Sequence, residues 1–155
     1  LRRILIIRRY YGMKSSGNMS KAFIDTDVIL DFMIAREPFA MDAARIFTLS
    51  EKKQISICTT GLVFSNAYYV LRKLGPHKKV IEKLTQLARL VDIIGLSKAA
   101  VNQALESEFG DFEDALQYYA ALSGNVKIII TRNTKDYKYS ELAVLTPDQY
   151  LKSRS

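Results

Sequence analysis

Five short apolar runs, KAFID at 21–25, QISICTT at 54–60, VDIIG at 91–95, VKIIIT at 126–131 and AVLT at 143–146, are separated by stretches with helical spacing. Runs of this length with no polar alternation are strands buried on both faces, and their regular interruption by helices predicts a parallel sheet. The fold class is therefore α/β, a three-layer sandwich with a central parallel sheet of about five strands covered by helices on both faces.

The helical patterns are individually readable. DVILDFMIA makes a first turn or two with Asp27 near its start, and Pro38 stands near the start of a second helix with Phe39, Ala43, Ile46, Phe47 and Leu49 at helical spacing. Leu62, Val63, Ala67, Val70, Leu71 and Leu74 form one broad face before Gly75 and Pro76. Val80, Ile81, Leu84, Leu87 and Ala88 repeat the pattern. Ser97 and Asp111 cap the next two helices, the second of which ends at Gly124, and Thr146 with Pro147 opens a terminal one. The tyrosine pairs at 68–69 and 118–119 read as helix packing.

At 155 residues, 48% of them hydrophobic, the chain suits one domain with a substantial core. Its single cysteine, Cys58, lies in an apolar strand and excludes an internal disulfide, which favours a reducing, cytoplasmic compartment. Of the net charge of +7, five positive charges fall in residues 1–18, which hold no acid, so the body is nearly neutral. MSKAF leads directly into the first strand, so residues 1–18 read as a basic extension, translated from upstream or added in cloning, and 19–155 as the domain. A basic RNA-binding arm is the alternative reading of that extension. ILII is shorter than the roughly 7–15 apolar residues of a secretory core, and no run reaches the about 20 of a membrane span.

In open parallel sheets ligands bind beyond the carboxyl ends of the strands. Three of those ends are polar here: Asp25 and Asp27, Thr59 and Thr60, and Thr131 with Arg132 and Asn133. A helix opening on Asp111, Glu113 and Asp114 adds carboxylates, with Asp111 and Asp114 on one face. That pair also reads as a capping arrangement, worth about 1 kcal/mol. Two carboxylates about 4 Å apart repel by roughly 4 kcal/mol at an effective dielectric near 20, a penalty that a bound cation reverses. All-oxygen donors, without a cysteine cluster and with a single histidine, point to Mg²⁺ or Mn²⁺ rather than zinc. His77, beside Lys78 and Lys79 at a helix start, reads as exposed and uninvolved.

FIDTDVILDF, TTGLVFSNAYYVLRKL, DFEDALQYYAA and IIITRNTKDY, in this order, resemble the motifs of the PIN-domain ribonucleases, the toxin-type, VapC-like members in particular. The resemblance covers Met19 to about Leu151. It implies a metal-dependent endoribonuclease cutting single-stranded RNA, the toxin of a toxin–antitoxin pair. Carried over by position, Asp25 is the first metal ligand and Asp114 the second, with Asp27 supporting them. The family usually has a Glu where Asn66 stands, and often an Asp in place of Asn133; Asp111 and Asp136 are the acids available to replace the lost charge. A divalent cation at such a site stabilises the charge of an in-line transition state and acidifies a bound water. Thr26 and Thr131 offer hydroxyls to the phosphate or the carboxylates. Arg132, Lys135 and Lys138 are candidates to hold RNA phosphates, with Tyr137 and Tyr139 as stacking surfaces between them. The resemblance further implies an antitoxin covering the acidic site and a homodimer.

Two other readings are open. The two neutral positions, Asn66 and Asn133, allow a PIN fold that binds RNA or protein without cutting. FIDTDV also fits the nucleophile motif of haloacid-dehalogenase-like phosphatases, with Asp25 as nucleophile, although the GDFED acids precede IIIT where that family needs them after it.

Overall fold

Strand β1 (Lys21–Ile24) is the hub of the computed structural model, which describes Met19 and residues 21–155; the basic stretch 1–18 lies outside the described residues. Ala22, Phe23 and Ile24 are all fully buried, as the absence of alternation requires. β1 pairs in parallel with β2 (Ser56–Thr60) on one side and β4 (Ile128–Ile130) on the other. β3 (Asp92–Ile94) and β5 (Ala143–Leu145) complete a five-stranded parallel sheet in the order β3-β2-β1-β4-β5.

The helices are α1 (Thr26–Met33), α2 (Ala40–Glu51), α3 (Gly61–Leu71), α4 (His77–Leu90), α5 (Lys98–Glu106), α6 (Phe112–Ser123) and α7 (Pro147–Ser153). A 3₁₀ turn, Thr134–Tyr137, follows β4. From β1 the chain moves through β2 to β3 and then returns past β1 to β4 and β5, so right-handed crossovers put the two sets of helices on opposite faces. α5 and α6 pack on each other around Ala104, Ala115 and Leu116, while α1, α2 and α4 close over the main core with Val28, Ile29, Ile46, Phe47, Val80 and Leu84. Cys58 is buried in β2, and burial pushes its thiol up to about 12.

Helical spacing overreaches at the ends of helices. Leu74 lies beyond the last turn of α3 and is 68% exposed, and Phe39, Ile81 and Ala88 are exposed as well, because their neighbours in the layer fall short of them. The left-handed residue after α6 is Asn125 (φ 60°), not Gly124. Gly124 serves packing instead, since a Cβ there would stand 3.3 Å from both Ile94 Cδ1 and the Ala120 carbonyl oxygen. Among the described residues no helix is long and apolar enough to cross a membrane.

Candidate functional site

The strand order reverses direction at β1 and β4, and a crevice opens where their carboxyl ends diverge. Asp25 ends β1 at that point. Its backbone N–H still donates to the Ile130 carbonyl of β4 (3.1 Å), while its side chain caps α1 by accepting from the Thr26 N–H (2.7 Å). The other carboxylate oxygen, Oδ2, accepts from the Thr131 hydroxyl (2.9 Å) and the Tyr137 hydroxyl (3.2 Å). Asp25 is only 7% exposed, so neutral donors, not solvent, support its charge.

Asp27, in the first turn of α1, accepts from the Arg132 N–H at 2.9 Å and lies 3.3 Å from the Thr131 hydroxyl. That hydroxyl has one proton for two carboxylates, so it serves one at a time. Asp27 Oδ1 and Thr26 Oγ1 are buried with no partner among the described residues. Polar atoms left in this way at a crevice are what a ligand or an ordered water satisfies.

From the opposite side, α6 brings three acids. Asp111 caps it, accepting from the Asp114 N–H (3.0 Å), and Asp114 Oδ1 lies 3.5 Å from the Tyr137 hydroxyl. One phenol therefore stands between Asp25 and Asp114. Glu113 Oε1 accepts from the Asn66 side-chain amide (2.5 Å) and from Gln117 Nε2 (3.3 Å).

The electrostatics follow from crowding acids in a partly dry crevice. Burial, outweighing its hydrogen bonds, raises the pKa of Asp25. Burial and then the charge of Asp25 push Asp27 up to about 6. Asp114 is pushed up to about 7 by burial and by Asp25, Asp111, Asp136 and Glu113 in turn. Burial and Asp111 raise Glu113. Among the described residues no three acidic, histidine or cysteine side chains already converge as a metal cluster. The donor chemistry nevertheless fits a hard divalent cation: all the donors are oxygens, the carboxylates repel one another, and two buried oxygens lack partners.

Asp25, Asp27, Asp114 and Thr131 are thus brought together. Asp111 caps the helix beside them. Asp136 is exposed at the rim and takes a hydrogen bond from Asn133, close enough to weigh on Asp114. Lys135 and Lys138 are exposed, and the Lys138 ammonium lies 5.0 Å from the centre of the exposed Tyr139 ring. His77 is exposed and lies 3.0 Å from the Tyr68 hydroxyl. Two side chains have other duties than their sequence context suggests. Tyr137 offers no stacking surface, because the 3₁₀ turn carries it inward to 2% exposure. Arg132 forks onto the fully buried Asp31, with Nε and NH2 at 2.6 and 3.2 Å, and stacks 4.1 Å above Phe39. Its guanidinium is a strut between the β4 end and α1.

A family model described as the PIN domain matches residues 21–135, most of the chain and all of the site up to Lys135. The chain belongs to the PIN-domain family. Ribonuclease VapC1 of Aquifex aeolicus is 29% identical over 141 residues, covering 86% of this chain and 94% of that protein. Among solved structures, a toxin–antitoxin complex from Klebsiella pneumoniae superposes with a TM-score of 0.62 at 20% identity, covering 81% of this chain and 97% of the other. VapBC2 from Rickettsia felis, bound to a DNA fragment from their promoter, gives 0.60 at 17%, covering 81% and 96%. The fold is therefore that of these PIN proteins, and the phosphatase reading falls with the family assignment.

Within the PIN domain, three residues take parts in the site that the sequence reading does not give them: Tyr137 and Glu113, named there for other reasons, and Asp31. Glu113 carried a signal in FEDALQ, where it stands one turn before Gln117. Asp31 likewise stands one turn after Asp27 on α1. Tyr137 carried none, since its burial depends on a turn that only the packed structure shows.

Proposed function

We propose that this PIN-domain protein is a divalent-metal-dependent endoribonuclease that hydrolyses single-stranded RNA and serves as the toxin of a toxin–antitoxin pair. The observation that carries the reading is the approach of Asp25, at the end of β1, to Asp114, at the start of α6, across one shared tyrosine hydroxyl. The family membership and the ribonuclease relative support the reaction, and the toxin–antitoxin structures support the partner.

Asp25 and Asp114 would hold Mg²⁺ or Mn²⁺. Such an ion supplies Lewis acidity at a phosphoryl oxygen and lowers the pKa of water. Thr131 and Tyr137 fix the Asp25 carboxylate by donating to the same oxygen. Asp27 is held in register by the Arg132 N–H and adds negative charge behind the site. Lys135 and Lys138, on the exposed rim, hold RNA phosphates, and Tyr139 offers a ring for a base. The protein works as a homodimer until an antitoxin covers the acidic crevice, with residues 19–155 as the working domain.

The test is cleavage of a mixed single-stranded RNA pool by protein freed of any partner, in Mn²⁺, Mg²⁺ or EDTA. Metal-dependent cutting that Asp25→Asn and Asp114→Asn both abolish is the expected result. Folded wild-type protein that cuts under no metal yet retains RNA would establish a binding module in its place.

A further inference from the structure

A cavity of about 450 Å³ opens at the carboxyl ends of β4 and β5, next to the acidic crevice, and the cleavage chemistry leaves it unused. Pro38 and Phe39, just before α2, and Pro147, which opens α7, give it apolar walls, while Asp42, Arg132 and Asp148 add polar ones. Its volume suits a small ligand. Sheet register fixes its place: Ile24, Ile130 and Leu145 stand side by side on β1, β4 and β5, so Asp25, Thr131 and Thr146 follow at one level, and Thr146 lines the cavity. Two strand spacings, about 10 Å, separate the Asp25 and Thr146 backbones. That is within the reach of a nucleotide adjoining a phosphate held at Asp25. We propose that this cavity receives a nucleobase of the single-stranded RNA substrate, one next to the scissile phosphate, and favours bases that carry an amino group. The inference rests on the nuclease reading and names where that substrate's neighbouring base lies.

The charges in the lining are already paired. Arg132 forks onto Asp31, Asp148 takes the Lys152 ammonium at 2.9 Å, and Asp42 has Arg45 at 3.9 Å. With Arg132 spent on Asp31 and two carboxylates on the wall, the cavity repels a phosphate and suits a neutral group. Its aromatic wall suits a flat one. Phe39 is an exposed ring, and the Arg132 guanidinium lies 4.1 Å from the ring centre. The fork onto Asp31 uses the edge of the guanidinium, which leaves its plane free to stack. Unpaired RNA bases stack on aromatic rings and on guanidinium planes, so a base here extends a stack that the protein has begun. The edge of that base meets acceptors, because the carboxylates of Asp42 and Asp148 accept hydrogen bonds and donate none. Adenine, guanine and cytosine bring an exocyclic amino group to such acceptors, and uracil brings none.

The test uses the full chain, freed of any partner, and a short single-stranded RNA through which an abasic ribose is walked, with affinity read in Ca²⁺ and cleavage in Mn²⁺. Phe39→Leu keeps an apolar cover beside Arg132 and removes the ring. In the wild type, losing the base at one position is expected to weaken binding roughly 5- to 100-fold, and uracil there to bind less well than the other three bases. In Phe39→Leu, shown to be folded by circular dichroism, intact and abasic RNA are expected to bind alike at that position. Asp42→Asn with Asp148→Asn is expected to narrow the preference against uracil. A wild type indifferent to every abasic substitution, or a Phe39→Leu protein that discriminates as the wild type does, overturns the assignment. Cleavage separates the two layers of the reading: a wild type that cuts RNA but ignores the abasic unit loses only the base cavity, and one that neither cuts nor holds RNA loses the nuclease reading with it. A Phe39→Leu change that leaves RNA discrimination untouched yet releases a bound protein would assign the cavity to that protein and overturn the proposal.

Discussion

Arg132 and Asp31 form a bidentate ion pair across the back of the crevice, 2.6 and 3.2 Å long, with the carboxylate fully buried and the guanidinium one-quarter exposed. Arg36 approaches the same carboxylate at 3.6 Å. Removing Arg132 leaves the buried Asp31 charge with only the longer Arg36 contact. Arg132→Ala is therefore expected to lower unfolding stability by about 3–5 kcal/mol, while Asp31→Leu with Arg132→Met recovers much of it. Urea denaturation of the three proteins checks this, and a loss below about 1 kcal/mol for Arg132→Ala would show that the pair behaves as a surface bridge.

The crowded acids predict an inverted pH response. Burial and mutual repulsion raise the folded-state values of Asp27 to about 6 and of Asp114 to about 7, above their ordinary carboxylate range. Between the unfolded and folded values the native state binds more protons, so the contribution of these groups to stability falls as pH rises through that window. In EDTA, these acids are expected to make the protein more heat-stable near pH 5 than near pH 8, and Asp114→Asn to flatten the difference. Mn²⁺ is expected to raise the midpoint at pH 8 and to have little effect at pH 5, where the acids hold protons.

Tyr137→Phe keeps the buried ring and deletes only the hydroxyl that faces Asp25 and Asp114. A hydrogen bond to a charged group contributes about 1.5–3 kcal/mol. The variant is expected to lose stability of that order at pH 8 and less at pH 5, below the value of about 7 to which Asp114 is pushed. Equal losses at both pH values would mean that the hydroxyl serves packing and not the carboxylates.

Lys135 and Lys138 are exposed and follow the β4 end in sequence, whereas Arg132 is engaged. Changing either lysine to Ala is expected to raise KM for RNA with little change in kcat. Each should reduce the slope of log affinity against log salt by about 0.7. An unchanged salt slope in the double Lys135→Ala, Lys138→Ala variant would place the RNA elsewhere.

The buried strands were legible because nothing competes with β structure in a run such as KIII, and Asp25 was legible because a carboxylate directly after such a run is costly. Asp114 needed the family resemblance, since its spacing from Asp111 also makes an ordinary cap, and the cap is real. Arg132 and Tyr137 were misread for one reason. A basic or aromatic residue in a polar loop is exposed by default, and only the fit of that loop onto α1 and α6 supplies the buried partners, Asp31 and Asp25, that draw these side chains inward. Helical periodicity likewise cannot tell where a neighbouring layer ends, which left Leu74 assigned to a face that nothing covers.

The crevice takes its walls from opposite ends of the chain. Asp25 precedes Thr131 by 106 residues and Tyr137 by 112, and β4 cannot pair with β1 until both have been made. During synthesis, then, Asp25 emerges early and stays without its two hydroxyl donors until the last fifth of the sequence has followed it. No fragment ending before the 3₁₀ turn holds the assembled set of acids and hydroxyls. The assembled crevice is thereby confined, by topology alone, to nearly finished molecules.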